Sequence, residues 1–204
     1  ICRRLNDLIV QCSSLWRIFD FKNPALINGE KLKGILKHSQ GFERFLIGFW
    51  RIDCKIEKLN EIFQQGFYGS PNLYWMDLSN CQLSSLSFLP FVPNLQILCL
   101  AHCTNLVDKE LKFLSQCKYL DQIDLSFTFI TGRGVIQHIV TNHNINLTSL
   151  DMRGTQVSVE NCSSILKRFS ETLLFFSINR PQFDTEKQHL EEIAANYSDC
   201  FISF

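Results

Sequence analysis

One hexapeptide template, apolar-x-x-apolar-x-apolar, recurs along this chain at a nearly constant interval, and no other feature limits its possible folds so sharply. It is met by Leu73, Met76 and Leu78, by Leu95, Leu98 and Leu100, and by Leu120, Ile123 and Leu125. It returns at Leu147, Leu150 and Met152 and at Leu173, Phe176 and Ile178, with looser copies at Trp16, Phe19, Phe21 and at Phe42, Phe45, Ile47. The copies start at 16, 42, 73, 95, 120, 147 and 173, so the intervals are 26, 31, 22, 25, 27 and 26 residues. A further step of 26 reaches 199, where Ile202 and Phe204 fall on apolar places and Asp199 breaks the match. A single hexapeptide of this kind means little. A set of close copies at such even spacing is the mark of a repeat architecture.

The fourth and sixth places lie two residues apart and so point to one face of a strand. Between the copies, apolar residues fall at helical spacing: Leu111 and Leu114; Ile136, Ile139 and Val140; Cys162, Ile165, Leu166 and Phe169; Leu190, Ile193 and Ala194. Strand, turn and helix therefore alternate, and each unit is too small to bury its own core. The stretch SSLSFLPFVP holds Pro90 and Pro93, which leave little room for a regular helix, so a short or irregular connector is expected there. The turn-rich GFYGSPN at 66–72 is expected to bulge as a loop. The period resembles that of the leucine-rich repeat. The fold expected is an α/β solenoid, with parallel strands on a concave face and helices on the convex face. Its span is 16–204, about seven to eight repeats, behind an N-terminal segment at 1–21.

Nine cysteines raise the question of metal or thiol chemistry. The ninth place of successive copies reads Pro24, Trp50, Cys81, Cys103, Thr128, Thr155 and Pro181. Cys and Thr are compact and weakly polar, suited to a buried turn where backbone groups need a partner. Threonine standing where cysteine stood is what a packing role predicts, because neither a nucleophile nor a zinc ligand tolerates that exchange. No C-x-x-C pair occurs, and His38, His102, His138, His143 and His189 show no paired ligand spacing. No Gly-rich phosphate loop, G-x-S-x-G elbow or H-E-x-x-H run is present. The reading is of a non-catalytic chain without cofactor or metal. The segment after Cys103, TNLVDKELKFLSQC, resembles the cysteine-containing subclass of leucine-rich repeat, and TFITGRGV and TQVSVENC are shortened forms of it.

Twenty basic and twenty acidic residues cancel, which removes any global pull toward nucleic acid or an acidic membrane. No apolar run approaches the length of a membrane span. The chain opens at Ile1 with no signal segment, which reads as a fragment or trimmed form of an intracellular protein in a reducing compartment, cytoplasmic or nuclear. Sequons stand at Asn146, Asn161 and Asn196.

The opening ICRRLNDLIVQCSSLWRIFDF carries an apolar stripe at Leu5, Leu8, Ile9 and Cys12, followed by Leu15 and Trp16. This resembles the closing half of an F-box, through Ile1, Cys2, Arg3, Arg4, Leu8, Leu15, Trp16 and Arg17. The first half, with its L-P-x-E opening, is absent. An F-box tail running into cysteine-containing repeats is the order found in F-box and leucine-rich-repeat proteins. The resemblance implies a substrate-recognition subunit of an SCF-type cullin–RING ubiquitin ligase, docking on the Skp adaptor through Leu8, Leu15 and Trp16. The alternative is an amphipathic cap on a non-ligase scaffold or inhibitor-like binding module.

With the fourth and sixth places inward, the third, fifth and seventh face the concave side. Candidate partner-binding residues there are Trp75, Asp77, Gln122, Asp124, Asp151, Arg153 and Phe175. Trp75 and Phe175 are large aromatics expected to face solvent, Trp75 as the apolar anchor. Asp124 and Asp151 share one place on adjacent strands, about 5 Å apart. Their repulsion gives the fold no reason to keep them together unless Arg153, a ligand or a partner's cation offsets it; a solvated acidic face is the plainer reading. A glycosidase pair is disfavoured because an open ladder has no enclosed pocket to raise one pKa. The partner expected is a polypeptide with a basic segment.

Overall fold

The structure is a computed structural model that describes residues 17–20, 29–47, 56–67, 70–179 and 184–203. Eight three-residue strands form one parallel sheet in chain order. They are β1 (Ile18–Asp20), β2 (Arg44–Leu46), β3 (Trp75–Asp77), β4 (Ile97–Cys99), β5 (Gln122–Asp124), β6 (Ser149–Asp151), β7 (Phe175–Ser177) and β8 (Phe201–Ser203). Each strand occupies places three to five of a copy, and the register never slips. Phe19, Phe45, Met76, Leu98, Ile123, Leu150, Phe176 and Ile202 pair in succession across all eight. The eighth strand forms despite Asp199, because places four and five carry the pairing and place one only packs behind it.

The register holds because side chains alternate across a strand, so a slip by one residue would turn the apolar set outward. Met76, Leu98, Ile123 and Leu150 are all at most 2% exposed. Places one and six line the same core, through Leu73, Leu95, Leu120 and Leu147, and through Leu78, Leu100, Leu125 and Met152. At the N-terminal end the filling is aromatic. Phe45 meets Phe67 edge-on at 5.1 Å, and Phe63 meets Phe88 at 5.4 Å.

The connectors sort by length. Strands start at 18, 44, 75, 97, 122, 149, 175 and 201, so the intervals are 26, 31, 22, 25, 27, 26 and 26. Each interval of 26 or more holds α-helix: α1 (Gly29–Leu36), α2 (Ile56–Gly66), α3 (Gly132–Val135), α4 (Val159–Arg168) and α5 (Asp184–Ala195). The two shorter intervals hold 3-10 helix instead, at Leu89–Phe91 and Asp108–Gln116. A 3-10 helix rises about 2.0 Å per residue against about 1.5 Å for an α-helix, so fewer residues span the same rung. The helix expected around Leu111 and Leu114 is therefore present in a stretched form. In the 27-residue interval α3 runs on into a π-turn at Ile136–Val140, the form a helix takes to absorb an extra residue. The irregular connector expected around Pro90 and Pro93 is the short 3-10 turn. Of the loop expected at 66–72, residues 68 and 69 lie outside the described residues.

Where each strand leaves the sheet the backbone turns left-handed at place eight. Asn80, His102, Phe127 and Gly154 have φ of 62°, 59°, 56° and 70°. Asn and Gly adopt this region readily, whereas a bulky side chain is a genuine outlier there. The turn is held by the next rung: the N–H groups of Asn80, His102 and Phe127 donate to the carbonyls of Ala101, Ser126 and Arg153 at 2.7, 2.8 and 2.6 Å. Place nine then tucks inward. Thr128 and Thr155 donate their hydroxyls to the Leu125 and Met152 carbonyls at 2.7 and 2.5 Å, and the Cys103 thiol donates to the Leu78 carbonyl at 3.1 Å. Cys81, Cys103, Thr128 and Thr155 are all buried. The exchange of Cys for Thr is thus an exchange of one small donor for another.

Candidate protein-binding face

Places three and five lie on the sheet face opposite the core. Along the third place run Ile18, Arg44, Trp75, Ile97, Gln122, Ser149, Phe175 and Phe201; along the fifth, Asp20, Leu46, Asp77, Cys99, Asp124, Asp151, Ser177 and Ser203. This face brings together six of the residues singled out in the sequence: Trp75, Asp77, Gln122, Asp124, Asp151 and Phe175. Arg153, at place seven, joins them through its ion pair with Asp151.

The fifth-place carboxylates have a structural task that sequence reasoning missed. The Ser79 N–H donates to Asp77 Oδ1 at 2.9 Å, the Ser126 N–H to Asp124 Oδ1 at 2.8 Å, and the Arg153 N–H to Asp151 Oδ1 at 3.0 Å. Each aspartate closes the turn two residues on, the local bonding that Asp side chains favour. The sequence leaves Asp124 beside Asp151 without reason unless Arg153, a ligand or a partner's cation offsets them; Arg153 is that offset for Asp151, and the turn bonds add a reason of the fold's own.

Beyond that shared task their surroundings differ. Asp151 is neutralised by Arg153, whose Nε lies 3.0 Å from both carboxylate oxygens and whose Nη2 lies 2.5 Å from Oδ2. That pairing also pushes the Arg153 guanidinium above its ordinary range. Asp124 accepts the Cys99 thiol at 3.3 Å, and Asp77 accepts the Ser79 hydroxyl at 2.6 Å. Ser79 Oγ lies 2.8 Å from Cys99 Sγ, so Asp77, Ser79, Cys99 and Asp124 form one polar line across three rungs. Among the described residues, neither Asp77 nor Asp124 has a cationic partner within salt-bridge distance.

Of the two aromatics, Phe175 faces solvent as expected and Trp75 differs. Trp75 is half-buried rather than free in solvent: the Arg44 guanidinium sits 5.0 Å from its ring while Arg44 Nε donates to the Tyr74 hydroxyl at 2.6 Å. A cation stacked on an indole shields that apolar face. Phe175 is 56% exposed, and beside it stands Phe201, 66% exposed, with the rings 6.3 Å apart. Phe201 lies in the copy whose first place is Asp199, so its sequence signal was the broken template. The apolar end of the face is therefore at β7 and β8.

Burial pushes the thiols of Cys99, Cys103, Cys117 and Cys162 up to about 12, so they stay protonated near neutral pH and do not supply a thiolate. Among the described residues no group of three or more His, Cys, Asp or Glu side chains is placed to hold a metal ion, and no helix is long and apolar enough to cross a membrane. Leu8, Leu15 and Trp16, the expected adaptor contacts, lie outside the described residues, as do the other F-box matches except Arg17. Arg17 pairs with Glu43 on the next rung, Nε to Oε1 at 2.6 Å and Nη2 to Oε2 at 3.0 Å.

No protein-family model and no curated protein matches the chain. Its backbone is similar to internalin C2 from Listeria monocytogenes, with a TM-score of 0.62 at 13% identity over 93% of this chain and 71% of that one. Weaker likenesses are to the leiomodin-1 actin-binding site 2 (TM-score 0.46, 14% identity, 87% and 92% covered) and to a leucine-rich-repeat protein from Leptospira interrogans (TM-score 0.29, 11% identity, 83% and 62% covered). The likeness to internalin C2 and the unclosed parallel sheet with its helices identify an α/β leucine-rich-repeat solenoid.

Proposed function

We propose that this chain is a non-catalytic recognition module whose concave face takes a polypeptide with a basic segment, and that it serves as the substrate-recognition subunit of an SCF-type cullin–RING ubiquitin ligase. The observation carrying the binding reading is the pair of half-buried carboxylates, Asp77 and Asp124, that face the open side of the sheet with no cation within salt-bridge distance among the described residues, Arg153 acting on Asp124 only from farther off. A partner's lysine or arginine would complete them, giving charge-assisted bonds stronger than neutral ones. Asp151 is already satisfied by Arg153, so it contributes less.

The ligase reading rests on the F-box-like closing pattern that runs into cysteine-containing repeats, with Leu8, Leu15 and Trp16 as adaptor contacts. A scaffold or inhibitor-like binder without that tie is the second reading.

Co-purification with a Skp-type adaptor separates the two. The adaptor should be retained by the chain extended upstream and lost on Leu15→Asp or Trp16→Ala; no retention from the extended chain leaves the scaffold reading alone. The binding face is tested by the double substitution Asp77→Asn and Asp124→Asn, which keeps the turn acceptors and removes the charge. Binding of an arginine-rich peptide should fall at least tenfold while the urea midpoint stays put. Unaltered binding would reject the face.

A further inference from the structure

Phe175 and Phe201 form the one pair of neighbouring aromatic side chains on this face that are both mostly in solvent among the described residues. Apolar rings held in water at the end of a sheet are a docking signal rather than core. Their distance from Asp77 and Asp124 is set by the ladder. From Phe175 on β7 to Asp124 on β5 is two rungs, and from Asp124 to Asp77 on β3 is two more. Neighbouring strands lie about 4.8 Å apart, so each step is about 9.6 Å. Of the intervening rungs, β6 carries Asp151 already paired with Arg153, whose guanidinium also acts on Asp124 without bonding it, and β4 carries Cys99.

That step matches one turn of polyproline II helix. Three residues of it advance about 9.3 Å and return to the same face. A β-strand three residues long covers a similar distance but turns its third neighbour away from the surface. We propose, resting on the concave-face reading above, that the partner is a polyproline II segment lying along the solenoid axis. An apolar side chain sits on Phe175 and Phe201, with basic residues three and six positions along against Asp124 and Asp77. The offset between places three and five, about two residues of strand, is within reach of an arginine side chain. Such a segment also enters with little ordering cost, because polyproline II is already populated in free chains.

Fluorescence polarisation on the full chain, with labelled synthetic peptides, tests the register. The probes are Leu-Pro-Pro-Arg-Pro-Pro-Arg, its reverse Arg-Pro-Pro-Arg-Pro-Pro-Leu, and the equal-composition Leu-Pro-Arg-Pro-Arg-Pro-Pro. The better of the first two should bind at least tenfold tighter than the third. Phe175→Ala and Phe201→Ala, both at exposed positions, should erase that advantage. Equal binding of all three that is lost on Asp124→Asn would overturn the register while the acidic-face reading stands. A tenfold preference indifferent to Phe175→Ala and Phe201→Ala would overturn the apolar seat. No saturable binding by any of them would overturn both this proposal and the reading beneath it.

Discussion

Gly154 and Phe127 give the sharpest test of how place eight is built. At Gly154 φ is 70°, and a Cβ added there would fall inside van der Waals contact of Phe127 Cδ1 and stand 2.9 Å from Cε1 and Cγ. Phe127 cannot give way freely, because its other face lies 4.4 Å from the His102 ring, parallel to within 3°. Gly154→Ala therefore has two costs: about 1–2 kcal/mol for an L-residue in the left-handed region and about 1–3 kcal/mol for the overlap. A small gain from restricting the unfolded chain, about 0.4–1 kcal/mol, opposes them. The net loss expected is about 2–4 kcal/mol. In a Phe127→Ala background only the backbone part remains, so the same change should cost about 1 kcal/mol. Equilibrium urea denaturation of the four chains, with m-values checked for constancy, yields the coupling as the difference. A coupling of about 1–3 kcal/mol supports the stacked rung. Additivity to within about 0.5 kcal/mol would refute it, and the steric account of place eight with it.

Other outcomes follow from the same structure. Leu98→Ala, deep in the sheet core, should lose about 2–5 kcal/mol in the same denaturation assay; a loss below 1 kcal/mol would mean the rungs close over the cavity. Asp108→Ala removes an acceptor of the Thr131 N–H at 2.8 Å and of its hydroxyl at 2.6 Å, and should cost about 2–3 kcal/mol, with Asp108→Asn recovering part of it in thermal melts. Four thiols, three buried and that of Cys99 half-buried, make the fold sensitive to alkali. Their folded pKa of about 12 lies above the ordinary 9.0, so the stabilisation is intact below pH 9 and is lost as pH rises from 9 toward 12. Each thiol contributes a slope of about 1.4 kcal/mol per pH unit in that window. Urea midpoints measured from pH 8 to 10.5 should fall, and fall less steeply in Cys117→Ala; an unchanged slope in that variant would rule Cys117 out.

The strands and their register were legible in the sequence because both rest on one spacing. Leu98, Ile123 and Leu150 could be aligned by counting, and a two-residue side-chain period leaves a single way to bury them. The left-handed turn was half visible. Asn80, His102 and Gly154 belong there by propensity, whereas Phe127 does not and is held by the His102 ring and by the carbonyl of the following rung. Trp75 reads as a free anchor in the sequence because its shield, Arg44, lies 31 residues earlier and meets it only through strand pairing. The aspartates read as partner contacts by their place on the open face, while their first donors are the N–H groups two residues on. That local bond is written in the sequence as Asp77-x-Ser79 and Asp124-x-Ser126. Connector type was hidden in the intervals themselves, where a few residues more or fewer choose between α, 3-10 and π.

The connector between β4 and β5 reaches in both directions. Asp108 bonds forward to Thr131, and buried Glu110 bonds back to the Leu86 N–H at 3.0 Å. It works as a keystone: three consecutive rungs share polar latches, the Glu110 one buried from solvent, so they should open together. Hydrogen exchange ought to be slowest from β3 to β5, with fraying confined to the outer rungs. A cut through this segment would strip the middle of the arch of its ties, while a cut near β7 would cost only local order.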